Sequence, residues 1–369
     1  MGAGERLLAS EIAVNVMTML DPRPLRILLV HERFPPDFGG GGEYVVLQIA
    51  KHLMALGHQV KMLTTGNPAD QVYEGVPLKR LPISRYRFNT VSGIVAQEAQ
   101  DADLIHCFSY HAAIPAYRAA RRMNKPVVLG VLALFGDAWL SMRGPWIGRL
   151  FQRFETYLMR LPFDRRLFLS PGSLGLAHSL GPVRAGDMVL PPGISLEDYH
   201  AAPVKNGVMF SGKIDSRKGV DMVLALARGL PDVPFVVMGW GEGLVSFRQS
   251  APPNITVLPF LTRAGLAEAL STASIFLFPS KAETFGLVVA EAMASGCAVV
   301  GQAPLDFEGT RIDPSDVPAC MAAVHALWTD PARCQACGEK NQVLAQQYSW
   351  SRHMKDLLAV YQSLVGNPR

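Results

Sequence analysis

Short apolar runs rich in β-branched residues alternate along the chain with longer stretches in which apolar positions recur every three or four residues, the pattern of parallel α/β layers. Arg26–Val30 (RILLV) reads as a buried strand, residues 43–56 as a helix ended by Gly57, and residues 59–63 as the next strand, one βαβ unit. The repeat continues through strand 104–107, helix 112–123, strand 126–129, an amphipathic helix near 146–161 and strand 166–169. Pro191, Pro192 and Gly193 then make a stiff turn. A second series follows, with strands at 208–211, 235–238, 256–259, 275–278 and 298–300. The pattern predicts an N-terminal extension over 1–24, a doubly wound domain over 25–190, a second over 191–348, and a terminal helix within 349–369 that returns to the first domain. Two Rossmann-like halves facing across a cleft place ligands at the carboxyl ends of their strands. A linker with few cross-contacts predicts that they open and close.

Composition narrows the class. A chain of 369 residues suits two domains, and 49% hydrophobic with 18% charged residues excludes a disordered, collagenous or coiled-coil protein. Five cysteines, odd in number and sparse, argue against a disulfide framework and for a reducing, cytoplasmic setting. The formal charge of +4 hides an asymmetry, with 21 Lys and Arg against 14 Asp and Glu in residues 1–185 and 14 against 17 in the rest. The first half therefore leans toward phosphates or anionic membrane surfaces, unless the excess is only a solvated surface. No apolar run approaches a membrane span, and residues 1–24, with Glu5, Glu11 and Asn15, lack the form of a signal peptide. In 146–161 the residues Trp146, Ile147, Leu150, Phe151, Phe154, Leu158 and Leu161 recur at helical spacing, with Arg149, Arg153 and Arg160 off that stripe. This is either a core-packing helix with a snorkelling basic edge or a peripheral contact with anionic lipid at the inner membrane face.

Both Gly39-Gly40-Gly41-Gly42 and the Gly239 to Gly243 stretch fail at the third glycine of G-x-G-x-x-G, which disfavours a nicotinamide or flavin enzyme. Four glycines before a helix still leave backbone amides open to a phosphate or sugar, or else form a flexible surface loop. After strand 275–278, PSKAETFGLVVAEAMASG (279–296) sets Glu283 before Thr284, Phe285, Gly286 and Leu287, which open a helix whose amides favour an anion. Glu291 lies eight residues beyond Glu283, about two helical turns, so both carboxylates can serve one ligand's hydroxyls, the alternative being an exposed helix face. Lys213 and Lys218 in GKIDSRKG bracket a turn after strand 208–211, able to neutralise a diphosphate leaving group or simply to remain solvated. His106 and His111 at a strand end read as satisfied structural histidines, and Cys334 with Cys337 as incidental cysteines. No metal-ligand cluster or nucleic-acid patch stands out.

In order, FPPDFGGGGEYV, SGKIDSRKGVDMVLALA, VMGWGEG, NITVLPFL, FPSKAETFGLVVAEAMASGCAVV and YSWSRHMKDLLAVY resemble the retaining glycosyltransferases of family four, group 1 type, over residues 26–361. The resemblance implies a GT-B fold of two Rossmann-like domains. It places Glu283 on the donor-sugar hydroxyls, Glu291 on the ribose, Lys213 and Lys218 on the pyrophosphate, and Gly41 with Gly42 on the diphosphate. Thr284, Phe285, Gly286 and Leu287 would belong to the donor site, and the backbone at Phe260 and Leu261 would read the base. It also implies a nucleotide diphosphate sugar as donor substrate, UDP-sugar first and GDP-sugar second, with no cofactor, no metal and an acceptor the sequence does not name. Three departures stand out: Lys213 where members commonly carry Arg; Leu132 to Asp137 where many carry a histidine, Asp137 being the one polar substitute; and a shortened segment over 301–312. The missing histidine and the shortened segment keep open a weakly catalytic nucleotide-sugar-binding subunit, and the similar architecture a GT-B sugar-nucleotide epimerase.

Overall fold

The computed structural model describes residues 23–37, 40–259 and 262–366. The expectations for the stretch before Arg23 and for Phe260 and Leu261 lie outside the described residues. Residues up to Gly193 together with those from Trp350 form one compact unit, and Ile194–Ser349 forms a second.

The first unit holds an eight-stranded sheet of β1 (Arg26–Val30), β2 (Gln59–Thr65), β3 (Val72–Tyr73), β4 (Val76–Leu81), β5 (Leu104–Phe108), β6 (Val127–Val131), β7 (Arg165–Phe168) and β8 (Asp187–Val189). Their order is β3-β4-β2-β1-β5-β6-β7-β8, parallel throughout except where β3 meets β4. Helices α1 (Gly41–Ala55), α2 (Ser92–Glu98), α3 (Ala113–Met123), α4 (Ala138–Arg160) and α5 (Pro171–Leu180) connect the strands. Helices on both faces explain why β5 and β6 are buried along their whole length and read as continuous apolar runs.

The second unit has a six-stranded parallel sheet of β9 (Val208–Lys213), β10 (Phe235–Trp240), β11 (Ile255–Pro259), β12 (Ile275–Phe278), β13 (Ala298–Gly301) and β14 (Gly309–Arg311), in the order β11-β10-β9-β12-β13-β14. Its helices are α6 (Val220–Gly229), α7 (Leu244–Ser250), α8 (Arg263–Thr272), α9 (Leu287–Ala294), α10 (Val317–Trp328) and α11 (Pro331–Ala345). The chain runs outward from β9 through β10 to β11, then returns to the other side of β9 as β12. That reversal leaves a crevice at the carboxyl ends of β9 and β12, where doubly wound sheets take ligands. The short segment after β13 is well tied. The buried Asn341 side chain accepts from the Glu308 amide at 2.7 Å and donates to the carbonyls of Cys297 at 2.8 Å and Glu308 at 2.9 Å.

The last helix, α12 (Trp350–Val365), packs within the first unit. Trp350 stacks on His52 of α1 with ring centroids 4.9 Å apart, and Gly193 is pressed so close that a Cβ there would lie 2.4 Å from the indole. His353 meets the Pro191 carbonyl through Nδ1 at 2.7 Å, and Tyr361 Oη meets Nδ1 of His106 in β5 at 2.7 Å in a buried contact. His106 is thus a core histidine, held neutral by burial, which pushes its pKa down to about 3. Glycine at 130 in β6 makes room for it, because a Cβ there would stand 2.6 Å from Phe108 and 3.0 Å from His106 Nε2.

Helix α4 departs from expectation in two ways. It starts at Ala138 and turns a corner at Gly144, whose φ of 77° and ψ of 169° are not helical, immediately before Pro145. Its apolar residues also do not form one stripe: Leu158 is buried and Phe154 packs on the core, whereas Trp146, Ile147 and Leu150 face outward.

Candidate active site

Strand β9 ends at the exposed Lys213, and the chain turns through a single 3-10 turn, Ser216–Lys218, capped by Asp215, whose Oδ1 accepts from the Lys218 amide at 3.2 Å. Burial pushes the Asp215 carboxyl up, but the Arg217 hydrogen bond and charge together with the Lys218 amide win and hold it below its usual range. Gly219, at φ 74°, lies so near the turn after β12 that a Cβ would stand 2.2 Å from the Pro279 carbonyl. The Lys281 amide donates to the Arg217 carbonyl at 2.9 Å, which ties the two turns together across the reversal point. Lys218 Nζ thereby reaches Glu283 Oε2 in an ion pair, and Ser280 Oγ donates to the same oxygen at 3.3 Å. Both partners keep a water-facing edge, with side-chain exposures of 27% and 23%, so a ligand can reach them. Lys213 stands 4.0 Å from Asp215 and does not share the Glu283 carboxylate.

Beyond Glu283, Thr284 and Phe285 are buried, with Phe285 edge-on to Tyr348 at 5.3 Å. Gly286, at φ 93°, forms the N-cap, and α9 begins only at Leu287. The alternative of an exposed helix face is excluded for Glu291, which is buried, and the helix opens at Leu287 rather than at Thr284. Glu283 precedes the helix, held by the left-handed glycine turn, while Glu291 lies inside it, 2% exposed. Glu291 Oε1 is bound to Arg263 Nη1. Arg263 opens α8, which Thr262 caps by accepting from the Gly265 amide at 3.0 Å. Sequence reading missed Arg263, although it carried a signal: a cation in the first turn of a helix opposes the dipole and needs a carboxylate to hold it.

In the first unit, α1 begins at Gly41 and Gly42 with Gly40 as its N-cap, and the first-turn amides have no intrahelical acceptor. The FPPD stretch before them is fixed by Arg80 of β4, a fully buried guanidinium that donates to the Thr65 carbonyl at 3.0 Å, to Asp37 at 3.1 Å and to the Pro35 carbonyl. Leu132, in the stretch without the expected histidine, lies 3.4 Å from the place a Cβ of Gly42 would occupy. Asp137 is exposed and accepts from Gln152 at 2.7 Å, away from that contact. Two buried carboxylates also escaped notice. Glu32, two residues past β1, accepts the amides of Tyr110 at 3.3 Å and Ala112 at 3.1 Å. Glu155 of α4 accepts the Tyr110 hydroxyl at 2.7 Å and the amides of Phe135 at 3.0 Å and Gly136 at 2.8 Å. Both act as clips for the loops after β5 and β6. His111 accepts at Nδ1 from the Asn89 amide at 2.8 Å, and burial lowers its pKa. Among the described residues, no group of three or more His, Cys, Asp or Glu side chains gathers as metal ligands.

Two doubly wound, mostly parallel sheets in one chain, the second with lysines and a carboxylate at its reversal point, define a two-sheet α/β protein. Residues 40–193 match the family model described as glycosyl transferase 4-like domain, and residues 205–330 match glycosyl transferases group 1. The D-inositol 3-phosphate glycosyltransferase of Mycobacterium avium (strain 104) is 26% identical, with 95% of this chain and 96% of that protein aligned. The solved sucrose-phosphate synthase of Thermosynechococcus elongatus superposes with a TM-score of 0.80 at 20% identity, over 93% of this chain and all of that one. HepE of Anabaena, solved in complex with UDP-glucose, gives 0.74 at 17% identity, over 92% and 99%. The chain belongs to the glycosyltransferases of the group 1, family-four-like type, and its fold is GT-B. It is a glycosyltransferase.

Proposed function

We propose that this glycosyltransferase moves a hexosyl group from a nucleotide diphosphate sugar to its acceptor with retention of anomeric configuration, working peripherally at a membrane face and without a metal or cofactor. The observation that carries the reading is the Lys218–Glu283 pair across the β9/β12 reversal, with Lys213 at the end of β9. Without donor, each member of the pair neutralises the other. With donor, Lys218 and Lys213 would balance the charge growing on the leaving diphosphate. Glu283, freed toward the sugar, would accept its hydroxyls and stabilise positive charge at the anomeric carbon. Thr284, Phe285, Gly286 and Leu287 would form the floor of that donor site, where the first-turn amides of α9 favour an anion. Glu291 would hold the ribose through the oxygen left over from Arg263. In the first unit, Gly41 and Gly42 present a second set of first-turn amides, suited to phosphate oxygens.

In the transfer step the acceptor oxygen bonds to the anomeric carbon as the bond from that carbon to the phosphate oxygen breaks. The acceptor proton passes to the departing phosphate on the same face, so no side-chain base is required. UDP-sugar is the favoured donor and GDP-sugar the second, in keeping with the UDP-glucose complex of the structurally similar HepE. The test combines donor and product. A thermal-shift comparison of UDP-, GDP-, ADP- and dTDP-sugars should single out one base, with UDP first. Proton NMR of the product should show the donor's anomeric configuration, unaltered by chelator. An inverted product, or turnover abolished by chelator and restored by a divalent cation, refutes the corresponding part of the reading.

A further inference from the structure

Among the described residues, most exposed large apolar side chains stand singly, but Trp146, Ile147 and Leu150 stand together, 84%, 55% and 68% exposed, just past the corner at Gly144 and Pro145. Trp146, Leu150, Arg153 and Tyr157 follow the spacing i, i+4, i+7, i+11, which puts them on one line along the helix. Arg149 and Arg160 lie beside that line and are exposed, as is Arg143 before the corner. The only acid on α4, Glu155, is turned inward to the loop amides of Phe135 and Gly136. The opposite side of the helix is the packed one. Gly148 lets it lie against its own first turn, where a Cβ would meet the Trp139 carbonyl at 2.6 Å, and Leu158 and Met159 are buried. Arginine and aromatic residues thus share the outer face, whereas the sequence pattern alone had set the basic residues apart from the apolar stripe.

We infer that the outer face of α4 docks in the interface of an anionic bilayer, with Trp146, Ile147 and Leu150 entering the headgroup and acyl boundary and the arginines meeting lipid phosphates. Charge decides the occupant. A second copy of this chain meeting this face symmetrically would set its arginines against their own equivalents. An anionic lipid surface instead pairs with every one of them, while the indole and the Tyr157 phenol take the amphipathic positions that aromatic rings favour there. The Arg143 charge reaches further along the same surface. The Tyr86 phenol, hydrogen-bonded by Arg85 at 2.7 Å, is drawn below its usual pKa by that bond first and by the charges of Arg85, Arg143 and Arg33 after it. The inference deepens the peripheral placement proposed above, but it needs no donor and no turnover.

Flotation of the full chain with vesicles tests it, comparing phosphatidylcholine alone with a mixture in which roughly a third is phosphatidylglycerol. The wild type should float with the mixed vesicles at low salt, less at high salt, and hardly at all with phosphatidylcholine alone. The Trp146→Ser/Ile147→Ser/Leu150→Ser variant, folded by circular dichroism and melting temperature, should partition about tenfold more weakly or less well still. Arg149→Gln/Arg153→Gln should bind the mixed vesicles more weakly and with a shallower salt dependence; unchanged binding and salt dependence in this variant also overturns the inference. A wild type that ignores the mixed vesicles, a serine variant that floats undiminished, or self-association through this face without vesicle binding each overturns the inference. Glycosyl transfer to a soluble acceptor, followed in the same preparations, reports separately on the enzyme.

Discussion

At the scale of single residues, the Lys218–Glu283 and Arg263–Glu291 ion pairs predict different failures. If Lys218 balances the leaving diphosphate as proposed, Lys218→Ala should lower turnover by ~10² to 10³, the loss typical of a missing oxyanion donor. Lys213→Ala should cost less, because that ammonium sits 4.0 Å from Asp215 and away from Glu283. Glu283→Gln keeps the shape and removes the charge, so steady-state kinetics should show a fall in kcat. Glu291 is different, since it is buried and its removal takes away the carboxylate bound to Arg263 at the start of α8. Arg263 is about a third exposed and also interacts with the charge of Asp198, so Glu291→Ala should destabilise the fold by only about 1 to 2 kcal/mol. Glu291→Gln should retain most of that stability and chiefly raise KM for the donor. Denaturant unfolding and donor titration of the two variants separate these effects. Lys218 and Glu283, which the structure pairs, were each singled out from residue types placed just after strands. Arg263 was not, because its carboxylate partner is 28 positions away in sequence and is brought to it only by packing.

Secondary-structure elements show where sequence pattern carries information and where it fades. Arg26–Val30 and Ile275–Phe278 have the bounds their apolar runs announced, since a strand buried on both faces has no other way to be written. The β3–β4 hairpin escaped because Val72–Tyr73 is two residues long and Pro77 interrupts its partner. Strand β14 escaped because it opens with Gly309 at φ 139°, a position pressed against the Val299 carbonyl that only glycine fits. The start of α9 was set three residues early, as nothing in the apolar pattern marks Gly286 as left-handed. Helix α12 carries a prediction of its own. Burial lowers the pKa of His106 to about 3 and that of His353 to about 4, and burial also lowers that of His52, on which Trp350 stacks. Unfolded histidines titrate near 6.5, so the stabilisation gained by keeping them neutral is complete above that pH and is lost as pH falls toward 4. His106 and His353 together should remove about 3 kcal/mol by one pH unit below 6.5. Thermal unfolding should show a steep loss between pH 6.5 and 4.5, and His353→Asn should flatten it.

At the scale of the whole molecule, the donor should act as a stabiliser of the second unit. A nucleotide sugar at about a hundred times its dissociation constant should add about 2.7 kcal/mol by mass action. Hydrogen exchange should then slow in the turns after β9 and β12 and at the start of α9. Protection spread evenly over both units, or confined to the first, would speak against a donor site at the β9/β12 reversal. Exchange in the sheet core of the first unit should be left unchanged by the nucleotide alone.

The chain enters the second unit at Ile194 and leaves it at Ser349, two residues joined by a parallel bridge, and only then supplies α12 to the first unit. During synthesis, therefore, the nascent first unit waits. At ~5 to 20 residues per second, its sheet emerges from the ribosome well before Trp350, Met354, Leu357 and Tyr361 exist to cover it. The second unit has no such delay, since all its strands are contiguous in the message. A premature stop after codon 349 should consequently spare the later-made unit and cripple the earlier-made one. Pulse proteolysis of ribosome-bound chains should find protease resistance arising first in Ile194–Ser349, and a holdase chaperone should engage the N-terminal half for longer.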